Sequence, residues 1–446
     1  MRGGALPEIC GRAVRWVHCV GVAGMGLGPL AIFLAGMGFE VSGEDDALTP
    51  EMAELLAKAG VRVGAMGDDC EAVVYSSAIA ATHPVYRKAK ERGILLVRRG
   101  EMLAEAVRGR KLVAVCGSHG KTTTTAMLVW ALRRANLKSG YVLGGLLADG
   151  SAPAAVGENE WVVAEIDESD GTIERFSPEI TVAVNLDWDH PDRYRTAEEI
   201  ERTFQELLGR TRGMVLVNEE WGGETGARSA TFGRTGDFAG EVKKETGEQT
   251  VLRLGGRFSL GQAGVRAKGE FNATNATAAL AAAQVMGAKL QEELLADFCG
   301  VRRRQTVLWA GEGIRVIEDY AHHPAEIRAL LGSVRPEAGR LVVVFQPHRY
   351  SRTKQFLREF AEALAVADRL VLLDVYGAGE GRIEGGTTAD LFAVMSDRKV
   401  SHARSDAELN AALDAEMRAG DLVVFVGAGD IDRKARAWIE GRKAKR

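Results

Sequence analysis

Residues 111–125 read Lys-Leu-Val-Ala-Val-Cys-Gly-Ser-His-Gly-Lys-Thr-Thr-Thr-Thr, and they hold the parts needed to grip a phosphate. The apolar run Leu112 to Cys116 predicts a buried strand, and the pattern from Thr122 to about Leu137 predicts a helix. A glycine turn between strand and helix aims several backbone N–H groups at one point. The helix N-terminus adds positive partial charge there. Lys121 supplies a full charge, and the Thr122 hydroxyl can hold Mg²⁺. The general phosphate-loop pattern requires a glycine where this chain has Val115, so the loop is the shorter Gly117-x-x-Gly120-Lys121-Thr122. A plain glycine turn carrying a surface lysine is the competing reading.

Further chemistry-bearing residues follow predicted strands. Glu165 lies inside the apolar run Val162-Val163-Ala164-Glu165-Ile166, where an ionised carboxylate is costly unless paired or bound to metal. Asp167-Glu168-Ser169-Asp170 packs three acids into four residues, which suits either a cation or a solvated turn. His190, just past the run Thr181 to Leu186, is open to a ligand role and to a structural one. Asn272 and Asn275 open an Ala-rich helix predicted over Ala276 to Met286. Their amides both donate and accept, as reading an adenine edge requires, and helix capping is the alternative for Asn272. Arg302-Arg303-Arg304 reads either as a hinge that delivers a cation to phosphate or as a surface charge run. Asp319-Tyr320-Ala321-His322-His323-Pro324 suits polar contacts to a ligand better than a metal, since adjacent histidines rarely face one ion. In Gln346-Pro347-His348-Arg349-Tyr350-Ser351-Arg352, two arginines three apart can share a helix face and clamp a carboxylate.

These residues need a scaffold, and the chain predicts three α/β blocks, at about 12–108, 109–301 and 302–446, with parallel sheets. Short apolar strands alternate with helices almost throughout. The first block opens on Gly21-Val-Ala-Gly24-Met-Gly26, which suits a dinucleotide-type turn or a plain tight turn. Glu44 and Asp45 lie where a ribose contact would fall, and Ser76 and Ser77 end a further strand. Residues 220–268 suggest an antiparallel excursion from the second block. Composition (46% hydrophobic, 26% charged) argues against global disorder, and a net charge of −4 makes no electrostatic case for nucleic acid. The five cysteines have no metal-ligand spacing and read as reduced thiols. Trp16 to Phe39 carries no Asp, Glu, Lys or Arg, yet its glycines and Pro29 split it into strand, turn and short helix. We read a buried βαβ start, with no membrane span, in a cytoplasmic protein.

Taken in order, Gly117-Ser-His-Gly-Lys-Thr-Thr-Thr-Thr, Glu165-Ile-Asp-Glu-Ser-Asp, Asp189-His190, Tyr320-Ala-His-His-Pro and Gln346-Pro-His-Arg-Tyr-Ser-Arg-Thr resemble the signatures of the Mur ligases of peptidoglycan synthesis. The likeness runs from His18 to Asp430. It implies an α/β fold of three domains: Rossmann-like 1–108 for a UDP-sugar, a central phosphate-loop domain 109–301 for ATP, and a Rossmann-like 302–446 for an amino acid. The implied reaction joins L-alanine to the lactyl carboxylate of UDP-N-acetylmuramate through an acyl phosphate, with ATP and two Mg²⁺. The implied enzyme is a monomer or homodimer.

By the same resemblance, Gly117, Ser118, His119, Gly120, Lys121, Thr122 and Thr123 cradle ATP. Asn272 and Asn275 read adenine, and Arg303 and Asp319 contact the nucleotide. Thr122 and Glu165 hold one metal, and Glu165 and His190 the other. Gly21, Gly24, Gly26, Ser76, Ser77, Glu168 and Ser169 bind substrate, the glycine turn on the UDP-sugar side. Tyr320, Arg349 and Arg352 place alanine, and His348 lies beside the acyl phosphate, so the implied catalytic set is Lys121, Glu165, His190 and His348. Departures are Ala23 for a glycine of the first turn, Phe271 where histidine is common, and Ser118 for threonine. No lysine occurs between Lys138 and Lys243, so the carbamylated lysine of sister enzymes has no counterpart. A sister ligase that attaches a recycled peptide to the same sugar, and a phosphate-loop ATPase of other function, are the competing readings.

Overall fold

The computed structural model describes residues 8–76, 79–191, 193–223, 225–226, 228–247, 249–395 and 400–444. The chain forms two compact units. The first comprises residues up to Asp187, Ala197–Ala267 and Asn272–Gly300; the second comprises Trp188–Thr196, Lys268–Phe271 and Val301–Arg446.

Two sheets build the first unit. One has five parallel strands, in the order Arg62–Val63, Glu40–Glu44, Trp16–Val20, Ala72–Tyr75, Leu95–Arg98. The chain leaves the central Trp16–Val20 strand at Gly21, and its flanking strands are reached by crossovers in opposite directions. Ligands gather at such a switch point in open α/β sheets. The charge-free stretch ends in the buried helix Leu27–Gly36, and no described helix is long and apolar enough to cross a membrane.

The other sheet has ten strands among the described residues. Its central strand Lys111–Cys116 lies between Trp161–Glu165 and Ile180–Ala183, parallel to both. Leu112 to Cys116 are all buried, on both faces of the sheet, which is why the run is apolar without alternation. Residues 220–268 do form an excursion. Phe238–Thr246, Gln249–Gly256 and Gln262–Val265 pair antiparallel and extend this same sheet through Ser229–Gly233.

The second unit holds a six-stranded sheet, Thr306–Gly311, Ile314–Asp319, Asp421–Val426, Arg340–Phe345, Arg369–Leu373, Val400–Ala403, parallel except at its first strand. Its five parallel strands end at one carboxyl edge, after Asp319, Phe345, Leu373, Ala403 and Val426.

Two boundaries differ from the sequence reading. The Ala-rich helix spans Glu270–Val285, starting just after Gly269 (φ 86°), so Asn272 and Asn275 lie inside it and Asn272 is not its cap. The strand predicted to Leu186 stops at Ala183, because the chain beyond it turns to serve the glycine loop next door.

Candidate active site

In the first unit the loop Gly117 to Gly120 leaves the Lys111–Cys116 strand and enters the helix Lys121–Arg134. Gly120 sits at φ 79°, a left-handed conformation, and a Cβ there would lie 2.7 Å from Asn275 Oδ1. Glycine is required on both counts. Asn275 Oδ1 also accepts from Thr124 Oγ1 at 3.1 Å, so this asparagine packs under the loop.

Residues that the sequence reading passed over staple the loop. Asn185 Oδ1 accepts from His119 N at 2.8 Å, and Asn185 Nδ2 donates to His119 O at 2.9 Å. Ser118 Oγ donates to Asp187 O at 2.6 Å and accepts from Asp187 N at 2.9 Å. His119 Nε2 lies 3.3 Å from Asp187 Oδ2. The one available signal was that both residues lie at the end of the predicted run Thr181 to Leu186, in the block that carries the loop.

Lys121 folds over this turn. Its Nζ donates to Gly117 O at 2.6 Å and to both oxygens of Glu168 at 3.1 Å. Glu168 is fully buried. Burial alone would lower the Lys121 pKa, but Glu168, with Asp167 and Glu165, raises it, so the ammonium stays charged. Thr122 Oγ1 donates to Glu165 Oε2 at 2.8 Å, which puts a hydroxyl and a carboxylate side by side. Hard oxygen donors of this kind suit Mg²⁺. A Cβ on Gly144 would collide with Glu165 Oε2, so the carboxylate occupies room that only glycine leaves. Gly144→Ala is expected to push Glu165 off Thr122. It should weaken any Mg²⁺ held between them by about 10- to 100-fold, read as a Mg²⁺-binding titration.

The acidic turn is held rather than loose. Ser169 N donates to Asp167 Oδ1 at 2.9 Å, and Arg99 Nη2 bridges Asp167 Oδ2 (3.3 Å) and Asp170 Oδ2 (3.0 Å). Arg99 also packs beside Gly26, where a Cβ would meet its Cδ at 2.8 Å. The glycine turn of the first sheet is pinned by Gly24 N donating to Gly21 O (3.1 Å) and Ala23 N donating to Asp45 Oδ2 (2.9 Å). Asp45 therefore supports the turn's backbone. Ser76 flanks Gly21, and Ser77 lies outside the described residues. Thr123 is half-buried in the first helical turn, and Asn272 is buried one turn below Asn275.

The second unit gathers the histidines and arginines. His348 stacks on Tyr376 (centroids 5.7 Å, planes 11° apart) and meets His322 edge-on at 5.7 Å. Burial, with His322 and Arg352 nearby, depresses the His348 pKa to about 2, and burial depresses that of His322 to about 4. Both rings are neutral at physiological pH. His322 meets Tyr320 edge-on at 5.4 Å, and the Tyr320 ring carries the guanidinium of Arg303 at 4.7 Å and of Arg304 at 5.1 Å. Arg303 Nη2 donates to Gly427 O (3.1 Å) and Gly429 O (2.9 Å), so it braces a strand-end loop and is no plain surface charge. His323 caps the helix Pro324–Val334 through its Nδ1 and packs on Phe356.

Arg349 and Arg352 do not share a helix face. Arg349 sits at φ 70° before the helix Tyr350–Gln355 and lies 3.6 Å from Glu380. Arg352 is 2% exposed and gripped by Asp189, Nε to Oδ1 at 3.0 Å and Nη2 to Oδ2 at 3.2 Å. The Nε and Nη2 donors of Arg352 are therefore already paired with Asp189 in this structure. Asp189 belongs to Trp188–Thr196, which packs with the second unit, Trp188 against Phe356 at 5.9 Å. His190, at φ 55°, therefore lies in the second unit, whereas Thr122 and Glu165 lie in the first.

Known families match the chain along its length. Residues 16–111 match the Mur ligase family catalytic domain, 115–283 the Mur ligase middle domain, and 302–429 the Mur ligase glutamate ligase domain. The chain belongs to the Mur ligase family. It is 38% identical to a UDP-N-acetylmuramate–L-alanine ligase of Kineococcus radiotolerans, over 93% of each chain. The crystal structure of UDP-N-acetylmuramate-alanine ligase from Thermotoga maritima superposes with a TM-score of 0.80 at 26% identity, covering 96% of this chain and 99% of that one. A murein peptide ligase from Psychrobacter arcticus shares the fold, with a TM-score of 0.71 at 22% identity over 96% and 98% of the two chains. The three-domain Mur ligase architecture follows from these matches. Within it, each sheet's carboxyl edge carries one cluster of the residues above.

Proposed function

We propose that this Mur ligase joins L-alanine to the lactyl carboxylate of UDP-N-acetylmuramate, forming ADP and phosphate in the making of a peptidoglycan precursor. The observation that carries the reading is Lys121, Thr122, Glu165 and Glu168 standing together at the carboxyl ends of adjacent strands. In this reading residues 1–108 take the UDP-sugar, 109–301 take ATP, and 302–446 take the amino acid.

The chemistry asks for little covalent help and much charge control. A carboxylate oxygen attacks the γ-phosphorus, the bond to the ADP oxygen breaks, and an acyl phosphate results. The amine nitrogen then attacks the acyl carbon, passes a tetrahedral intermediate, sheds a proton and expels phosphate. An anion attacking a triphosphate is repelled, so positioning and charge neutralisation dominate. Lys121 and the backbone N–H groups of the first turn of the helix Lys121–Arg134 bear on the phosphates. Mg²⁺, two ions in this reading, would add further positive charge at the phosphates, held by Thr122, Glu165 and His190. Asn272 and Asn275 suit the adenine, and Arg303 and Asp319 the rest of the nucleotide. Gly21, Gly24, Gly26, Ser76, Glu168 and Ser169 serve the UDP-sugar, and Tyr320 and Arg349 serve alanine, with His348 near the acyl phosphate. A cytoplasmic monomer or homodimer completes the proposal.

Asp319 makes one step pH-sensitive. Burial raises its pKa to about 6 against the pull of Arg304, while Gln305 N and Ala321 N donate to its oxygens at 2.8 and 2.7 Å. A raised carboxylate pKa means the folded state binds the proton more tightly than the unfolded chain does. This group's contribution to stability therefore falls as pH rises from about 4 through 6. Activity moves the other way: turnover with subsaturating ATP is expected to drop as pH is lowered through about 6. The pH–rate profile of Asp319→Asn should lack that limb.

The test of the function is ADP release with UDP-N-acetylmuramate against L-alanine, glycine, L-serine and the L-alanyl-γ-D-glutamyl-diamino acid tripeptide. Release is expected with L-alanine, with glycine weaker by about 10- to 200-fold for the missing methyl. Release with the tripeptide alone, or without any UDP-sugar, would overturn the proposal.

A further inference from the structure

The buried arginine of the second unit has a job other than holding substrate. Arg352 uses Nε and Nη2 on Asp189 and turns Nη1 to His348, 3.3 Å from Nδ1 and 3.5 Å from the carbonyl oxygen. A guanidinium has donors only and keeps its charge at any working pH. The imidazole nitrogen that faces it must therefore carry the lone pair. Turning the ring over would set a C–H against the same N–H and lose the bond. The His348 proton thus sits on Nε2.

The neighbours agree. His322 Nδ1 lies 3.0 Å from Tyr320 O and 3.3 Å from Glu326 Oε2, both acceptors, so that ring carries a proton on Nδ1. Tyr376 covers one face of His348. The charged groups that face His348 are Arg352, Arg349 and Asp189, and the arginines disfavour a second proton on it.

We infer that Asp189 and Arg352 are positioning residues that fix His348 as the neutral Nε2–H imidazole, a single donor for an acceptor oxygen of the bound substrate. The tautomer stands on geometry alone; the oxygen it serves, a phosphoryl or carboxylate oxygen, rests on the ligase reading. One consequence is that the carboxylate of the amino acid falls to Arg349 and not to Arg352.

Two measurements decide it. In ¹⁵N-histidine-labelled protein, with His348→Gln for assignment, long-range ¹H–¹⁵N spectra should show a bare Nδ1 and a protonated Nε2 at His348, unchanged from about pH 5 to about pH 9. A protonated Nδ1, or titration within that range, overturns the inference whether or not the protein ligates alanine. In steady-state assays, Arg352→Met should lower kcat by about 10- to 100-fold and leave the KM for L-alanine within about twofold. A rise of about tenfold or more in that KM with kcat unchanged would mark Arg352 as a carboxylate clamp and overturn the inference. If Arg352→Met does not fold, the wild-type spectrum decides alone. Absent turnover in wild type, with the expected tautomer present, defeats the ligase reading and leaves the positioning of His348 intact.

Discussion

Lys121→Ala is expected to abolish turnover and to loosen the first unit at the same time. Turnover should fall by about a thousandfold or more, since in the proposed mechanism the missing charge neutralises the transferring phosphoryl group. The stability loss has a separate cause. Glu168 is fully buried and both its oxygens lie 3.1 Å from Lys121 Nζ. Removing the ammonium takes away the cation that both oxygens of this buried carboxylate face, at a cost of about 3–5 kcal/mol. A second change separates the two effects. Lys121→Ala with Glu168→Gln removes the buried negative charge as well, so thermal melting should recover most of the loss while ADP release stays absent. Wild-type turnover in Lys121→Ala would remove the loop from the mechanism.

Asp189→Ala is expected to be the most destabilising single change in the second unit. Burial by itself would raise the Asp189 pKa, but Arg352 and the histidines around it hold the carboxyl well below the usual range. A carboxylate with a lowered folded pKa contributes its full stability above the unfolded value of about 4 and loses it only as pH falls further. At neutral pH the pair is fully formed, with Arg352 2% exposed. Alanine at 189 leaves that guanidinium uncompensated, again for about 3–5 kcal/mol. Hydrogen exchange should show lost protection in the Arg340–Phe345 and Asp421–Val426 strands and none in Lys111–Cys116. Replacing both partners by apolar residues, as in Asp189→Leu with Arg352→Met, should restore most of that protection. Unchanged exchange in Asp189→Ala would show that the pair contributes little.

Much of the scaffold was legible because its signal is local. Leu112 to Cys116, Val162 to Ile166 and Leu422 to Val426 are apolar runs of strand length, and strands covered on both faces have no other pattern. The glycine loop was legible for the same reason, since strand, turn, lysine and helix are contiguous. Errors collected where a neighbour overrides local preference. The strand after Thr181 ends early because Asn185 is drawn to His119, 66 residues away in sequence. The Ala-rich helix starts early because the backbone break at Gly269 (φ 86°) precedes residues that read as loop. The Arg349/Arg352 spacing suggested one helix face, but Arg349 lies outside the helix.

The amino-acid sequence by itself determined which chemical groups stand at the strand ends, in what order, and that parallel α/β sheets carry them. That information is local, written in periodicity and turn residues. Only the tertiary structure decided what each charge is paired with: Lys121 with Glu168, 47 residues on, and Arg352 with Asp189, 163 residues back. Such pairings depend on the register of strands far apart in the chain and on which groups lose their water. A run of residue types cannot carry that information, and here the pairing turns an apparent substrate clamp into a support for His348.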